Sequence, residues 1–260
     1  MIANYHTHTW RCNHAQGTER EYIEAAIQSG IKILGFSDHS PYCFKDGYKS
    51  RIRMTPEQLS EYIRTLEGLR EEYKGQIELH IGLEAEYFPG LFPDLLALLE
   101  EHPVEYLILG QHRLGDGVGE FYCGTENTDE SLLSRYCDQC MEAMNTGLFT
   151  YIAHPDIFNY VGDDAVYCRH MSELCREANR CQMPVEVNFA GLREGIWYPN
   201  PLFWEIAAEE GCTAIFGIDA HAPEAFDFGD TERQALELVN KPGLRLAQTV
   251  ELKPVVRGRS

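Results

Sequence analysis

The chain has 260 residues, 44% of them hydrophobic, with 41 acidic against 22 basic side chains and a formal net charge of −19. This suffices for one large α/β domain, and the absence of an apolar run of about 18 residues excludes a membrane-spanning helix. The charge excludes nucleic acid as a bulk electrostatic partner, because phosphate backbones are bound by clustered Lys and Arg. An anionic ligand would need local cations, either bound metals or a few aimed arginines. The N-terminus lacks the basic and apolar regions of a signal peptide, and the nine cysteines are scattered. A cytoplasmic protein without stable disulfides is therefore expected.

A short apolar stretch, Ile2 to Tyr5, runs into His6-Thr7-His8, with His14 soon after. Residues two apart on a strand face the same side, so His6 and His8 can aim both imidazoles at one point. Neutral imidazole is the commonest protein ligand for first-row divalent metals. A helix is predicted from Thr18, which forms a capping box with Glu21, to Gly30. The strand Ile31 to Phe36 ends at Ser37-Asp38-His39. A loop from Pro41 to Met54 leads to a helix from Thr55 to Lys74, with Pro56 in its first turn.

The strand Ile77 to Leu83 ends in Glu84-Ala85-Glu86, and a helix over Phe92–Glu101 precedes the strand Tyr106 to Leu109, ending Gly110-Gln111-His112. After a glycine-rich loop come a helix from Thr128 to Thr146, a strand from Phe149 to Ala153 ending His154-Pro155-Asp156, and a helix from Ala165 to Gln182. Val185 to Asn188 forms a strand followed by Gly191-Leu192-Arg193, then a helix from Pro201 to Glu210 and a strand from Thr213 to Ile218 running into Asp219-Ala220-His221. A helix over Thr231–Val239 and a closing strand, Ala247 to Leu252, complete the chain. Alternating short apolar strands and amphipathic helices imply a parallel sheet. In βα barrels the functional residues sit at the C-terminal strand ends. Nearly every candidate ligand here falls at such an end, so distant residues share one rim.

Taken in order, His6-x-His8, His14, Ser37-Asp38-His39, Gly82-Leu83-Glu84-Ala85, Gln111-His112, Ala153-His154-Pro155 and Asp219-x-His221 resemble the polymerase and histidinol phosphatase (PHP) superfamily across essentially the full chain. Arg11 to Ala15, Glu84 to Tyr87 and Asn188 to Arg193 are similar to its histidinol-phosphatase branch. The resemblance implies a distorted (β/α)7 TIM-like barrel with parallel strands, a single domain over residues 1–260, and three divalent transition-metal ions, Zn, Mn or Fe. Carried over residue by residue, His6, His8, Glu84 and Asp219 hold the first metal. Glu84 bridges to a second that takes His112 and His154, and His14, His39 and His221 bind the third.

The implied reaction is hydrolysis of L-histidinol phosphate to L-histidinol and phosphate, a step of histidine biosynthesis, by metal-activated hydroxide. A bridging carboxylate suits cations about 3.5–4 Å apart, which can lower the pKa of water to about 7. Glu84, Asp219 and Arg193 are the catalytic candidates, Arg193 as a bidentate grip on phosphate oxygens. Related enzymes carry a basic residue after the His-Pro-Asp motif, where this chain has Ile157-Phe158-Asn159-Tyr160. Arg53 and Arg113 are the candidate substitutes in substrate binding. Glu86, two residues from Glu84, is equally placed by spacing to act as the bridge. It is also expected, with Tyr42, Phe44 and Tyr48, to face a substrate ammonium and imidazole. Asp38 and Asp156 are expected to fix the tautomer of neighbouring histidines. The same chemistry on another small phosphomonoester or nucleotide, and a non-catalytic metal-binding barrel, are the alternatives.

Overall fold

The computed structural model describes residues 1–44, 47–116 and 121–255. Eight parallel strands form one sheet in sequence order: β1 Ala3–Asn4, β2 Ile33–His39, β3 Glu78–Ala85, β4 Tyr106–Leu109, β5 Phe149–Ile152, β6 Val185–Asn188, β7 Thr213–Gly217 and β8 Arg245–Leu246. The intervening helices are α1 Glu19–Ser29, α2 Leu59–Glu72, α3 Phe92–Glu101, α4 Glu130–Asn145, α5 Asp164–Arg180, α6 Phe189–Glu194, α7 Pro201–Glu209 and α8 Gly229–Asn240. The strands curl into a distorted half-barrel, as the βα alternation leads one to expect. Among the described residues, no helix is long and apolar enough to cross a membrane.

The ends of the sheet explain the distortion. The closing strand lies earlier and is shorter than predicted: β8 is Arg245–Leu246, paired with Thr213 and Ala214 at the start of β7. At the opposite end of β7, the chain after β1 meets the chain after β7 through a parallel bridge between Thr7 and Ala220. The His8 N–H donates to the Ala220 carbonyl at 2.9 Å. Asn4 reinforces this seam: its Oδ1 accepts from the Ile218 N–H at 2.9 Å, and its Nδ2 donates to Thr7 Oγ1 at 2.8 Å. The two ends of the chain's metal-ligand pattern, His6-x-His8 and Asp219-x-His221, are thereby brought side by side.

Local chemistry sets the helix ends. Thr18 and Glu21 form the expected capping box, and Gly30 closes α1 in the left-handed conformation that glycine adopts without steric cost. The core is built from apolar strand residues such as Leu34, Phe36, Leu83, Leu107 and Val187, all fully buried. Each such burial contributes about 1.5–3 kcal/mol. Tyr106 ties β4 to the β1–β2 side of the sheet, its hydroxyl lying 2.8 Å from the Tyr5 carbonyl and 3.2 Å from that of Phe36. Beneath the rim, the Tyr136 hydroxyl of α4 donates to the Pro155 carbonyl at 2.8 Å, fixing the turn that carries His154. A short helix stands where only a strand-end segment was expected: α6 starts on Asn188, whose Oδ1 caps the Gly191 N–H at 3.1 Å.

Candidate metal centre

His6 and His8 leave the end of β1 on the same side, as residues two apart should, with their Nε2 atoms 3.1 Å apart. Asp219 Oδ1 lies 3.4 Å from His6 Nε2 and 3.1 Å from His8 Nε2. Glu84 Oε2 lies 3.6 Å from each of these nitrogens. A tetrahedral ion with bonds of about 2.0–2.1 Å separates its ligands by about 3.3–3.4 Å. Four donors at these spacings describe such a coordination shell.

The other oxygen of Glu84 faces a second group. Its Oε1 is 2.9 Å from His154 Nε2 and 3.5 Å from His112 Nε2. Glu84 thus spans two clusters with one carboxylate. Its partner in register across the sheet is His39, whose Nδ1 is 2.9 Å from Glu84 Oε2. His39 also belongs to a third group with His14 and His221, whose donor atoms lie within 4.8 Å of one another. His14 Nδ1 is 2.8 Å from the Cys12 carbonyl, which leaves its Nε2 available. Gly110 makes the central placement feasible, because a β-carbon there would collide with Glu84 Oε1.

The electrostatics fit cations. Burial opposes the charge on Glu84, yet His112, His39 and His6 together with a hydrogen bond from His154 hold its pKa well below the usual carboxylate range. Asp219 is likewise held down against its burial, by His6, His8 and His221. Burial also opposes protonation of His8, but Asp219 and Asp38 raise it to about 9. His6 is raised well above its ordinary value against burial, by Asp219, Glu186 and Glu84. His39 and His221 go the other way: burial holds His39 well below its ordinary value, and burial with the nearby His8 lowers His221 to about 3. The buried atoms Glu84 Oε2, Asp219 Oδ1 and His221 Nε2 have no hydrogen-bond partner. Buried polar atoms are normally satisfied, so these orphaned donors match a multinuclear metal site.

Around this centre the structure adds residues that the sequence reading missed. Glu186 of β6 is fully buried and accepts from His6 Nδ1 at 2.8 Å. Asn188 Nδ2 donates to Glu186 Oε2 at 3.1 Å and to Asp219 Oδ2 at 3.0 Å. The available signal was the alternation Val185-Glu186-Val187-Asn188, which puts a carboxylate and an amide on one face of a buried strand. Asp38 does not hold the ring of His39, its neighbour in sequence: its Oδ1 accepts from the His39 backbone N–H at 2.8 Å and lies 3.5 Å from His8 Nδ1, and its Oδ2 accepts from the Thr9 N–H at 3.3 Å. Nor does Asp156 hold the ring of His154. Its Oδ2 accepts from the Asn200 N–H at 2.6 Å and from Trp204 Nε1 at 3.1 Å, anchoring α7 rather than the His154 ring. Burial raises its pKa to about 6, against the pull of those bonds.

The arginines divide. Arg53 is neither a surface charge nor free to grip a substrate: it is buried, ion-paired to Glu86, and lies 5.7 Å from the Tyr42 ring centroid and 5.9 Å from that of Phe44. Glu86 is therefore already neutralised, and its Oε1 stands 3.8 Å from His112 Nδ1. The expected pocket for a substrate ammonium, built on Glu86, Tyr42 and Phe44, is occupied by the protein's own guanidinium; Tyr48 lies exposed at its edge. Arg113 follows His112, lies 5.7 Å from the Tyr122 ring and pairs with Tyr122 in an isolated antiparallel bridge. Residues 117–120 of the predicted glycine-rich loop lie outside the described residues. Arg193 is exposed in the last turn of α6, just after β6. Ile157 and Phe158, where a basic residue was expected, are buried, and the Ile157 carbonyl accepts from Trp197 Nε1 at 2.8 Å.

Known proteins resemble this chain in sequence and in fold. A protein of Deinococcus radiodurans named "Probable histidinol-phosphatase" is 33% identical over 244 residues, covering 90% of this chain and 92% of its own. The histidinol-phosphatase of Bacillus subtilis is 27% identical, with 89% and 97% covered. The crystal structure of histidinol phosphate phosphatase from Lactococcus lactis, complexed with Zn, L-histidinol and phosphate, superposes with a TM-score of 0.71 at 19% identity, covering 96% and 97% of the two chains. The sequence model of the PHP domain matches residues 4–190, and the chain belongs to the PHP domain family.

Proposed function

We propose that the protein is a metal-dependent phosphatase that hydrolyses L-histidinol phosphate to L-histidinol and phosphate. The observation that carries this reading is the convergence of nine donor residues on one strand-end rim, with Glu84 facing separate groups through its two oxygens. His6, His8, Glu84 and Asp219 would hold one divalent ion, Glu84, His112 and His154 a second, and His14, His39 and His221 a third. Nitrogen and carboxylate donors suit Zn, Mn or Fe. Bound there, such ions supply Lewis acidity toward phosphate oxygens and lower the pKa of water toward neutrality.

The chain's own residues do the rest. Glu84 fixes the spacing of the two inner groups and keeps its charge, since the surrounding histidines hold its pKa down. Arg193 and Arg113, on the segments after β6 and β4, supply guanidinium groups for a phosphate dianion. The names of the Deinococcus and Bacillus relatives support the substrate, as does the ligand in the Lactococcus structure. One observation favours a second reading with the same chemistry on another small phosphomonoester: Arg53 already neutralises Glu86, the carboxylate best placed to meet a substrate ammonium.

The test is phosphate release with added Mn, Zn or Fe. In the first reading L-histidinol phosphate exceeds sugar phosphates and nucleotides in kcat/KM by at least about 10²-fold, the scale on which a site built to pair a substrate's polar groups rejects analogues lacking them, with groups other than the Arg53-paired Glu86 meeting the ammonium. A sugar phosphate or nucleotide matching it under the same loading would transfer the assignment to the second reading. No release from any phosphomonoester would leave a metal-binding barrel.

A further inference from the structure

Glu186 lies outside the nine donors, yet it touches or indirectly holds those of three strand ends. Oε1 accepts from His6 Nδ1 at 2.8 Å, with the Tyr151 hydroxyl further off at 3.4 Å. Oε2 accepts from the His154 backbone N–H at 3.1 Å and from Asn188 Nδ2 at 3.1 Å. The same Asn188 amide reaches Asp219 Oδ2 at 3.0 Å, and its Oδ1 is committed to the Gly191 N–H at 3.1 Å. That last bond settles which side of the amide faces the carboxylates.

The room for this arrangement is built in. Gly217 on β7 has no side chain where a β-carbon would collide with Glu186 Oε1. The held groups are also those that need holding. His154 and Asp219 have φ of 29° and 50°, a region that non-glycine residues adopt only when their surroundings impose it. With its Nδ1–H hydrogen-bonded to Glu186, His6 presents Nε2 to the oxygens of Glu84 and Asp219, so Nε2 is the atom that would ligate a metal once its proton is displaced.

We propose that Glu186, acting with Asn188, is the positioning residue of the metal centre, fixing the His6 tautomer and the turns that present His154 and Asp219. The inference rests on the metal-dependent reading above. Carboxylate partners of metal-ligating histidines tune affinity by about 10–100-fold. An amide at position 186 would turn an N–H₂ either toward His6 Nδ1 or toward the His154 N–H and Asn188 Nδ2, so the arrangement cannot be reproduced by Gln.

The experiment is titration of metal-free wild type, Glu186→Gln and Asn188→Ser with Co2+, following the visible d–d spectrum and competition with a chelator. Thermal unfolding of each metal-free form is measured alongside. Both variants are expected to fold, to bind Co2+ at the tightest sites at least about 10-fold more weakly, and to show an altered d–d spectrum. Ser at 188 can still cap α6 and lacks only the amide donors, so it decides the matter if Glu186→Gln does not fold. Wild-type affinity and spectrum in the folded variants would overturn the inference while leaving the metal reading standing. A wild type that takes up no Co2+ would remove both.

Discussion

The buried guanidinium of Arg53 is ion-paired to the carboxylate of Glu86, with the two side chains 2% and 1% exposed. The guanidinium also lies 5.7, 5.9 and 6.0 Å from the ring centroids of Tyr42, Phe44 and Phe88. Removing one partner of a buried pair leaves an uncompensated charge, which costs about 3–5 kcal/mol. Arg53→Ala is therefore expected to lower the melting temperature by roughly 10 °C. The double variant Arg53→Met/Glu86→Leu should recover most of that loss, since apolar replacement of a buried pair is often neutral. Differential scanning calorimetry on the three proteins checks this. A single variant with wild-type stability and only a raised KM would return Arg53 to the role of a substrate contact.

Glu84→Gln is expected to abolish turnover and reduce bound metal while leaving the circular dichroism spectrum unchanged, because one neutral amide cannot bridge two cations as a carboxylate does. Gly110→Ala should do the same by a different route, since its β-carbon would displace Glu84 Oε1. Elemental analysis and phosphate release measured together are the check. Full activity in Glu84→Gln would move the bridging role elsewhere.

Arg193 sits exposed at the end of α6 with no ion-pair partner among the described residues. Arg193→Ala is expected to lower kcat/KM for phosphomonoesters by about 10²-fold, the scale of a lost charge-assisted phosphate contact. Metal content and melting temperature should not change. Wild-type kinetics would hand the contact to Arg113.

The rim was legible because its chemistry is periodic. His-x-His at the end of β1 needs only the two-residue repeat of a strand, and the parallel βα order places the other ligands at the same edge. The choice between Glu84 and Glu86 was not legible, since two residues on an ideal strand share a face. The two side chains part where β3 stops: the strand ends at Ala85, Glu84 stays in register with His39, and Glu86 pairs with Arg53. That pairing links a loop residue to a strand end 33 positions on, and nothing local signals it. The helix α6 was missed because Phe189–Glu194 is too short to show a period. The role of Asp156 was misjudged for a related reason: adjacency to His154 in sequence gave no information about Trp204, which claims its carboxylate from 48 residues away.

The proton held by His8 yields a prediction whose sign can be worked out. Burial works against that proton, but Asp219 and Asp38 raise the folded-state pKa from 6.5 to about 9 in the metal-free protein. A folded pKa above the unfolded one means that the proton stabilises the fold fully below about pH 6.5, and that this contribution is lost as the pH rises to about 9. The shift corresponds to on the order of 3 kcal/mol for a fully buried imidazole. Metal-free protein should therefore lose stability between about pH 6.5 and 9. Metal binding follows the opposite trend, because a ligand histidine must be deprotonated before it can coordinate. Zn2+ affinity should rise through the same window and level off above pH 9. Denaturant titrations of the metal-free protein, paired with chelator-competition measurements across pH 6 to 10, would show two curves of opposite slope. Parallel curves, or a flat affinity profile with unchanged stability, would mean that His8 carries no proton for a metal to displace.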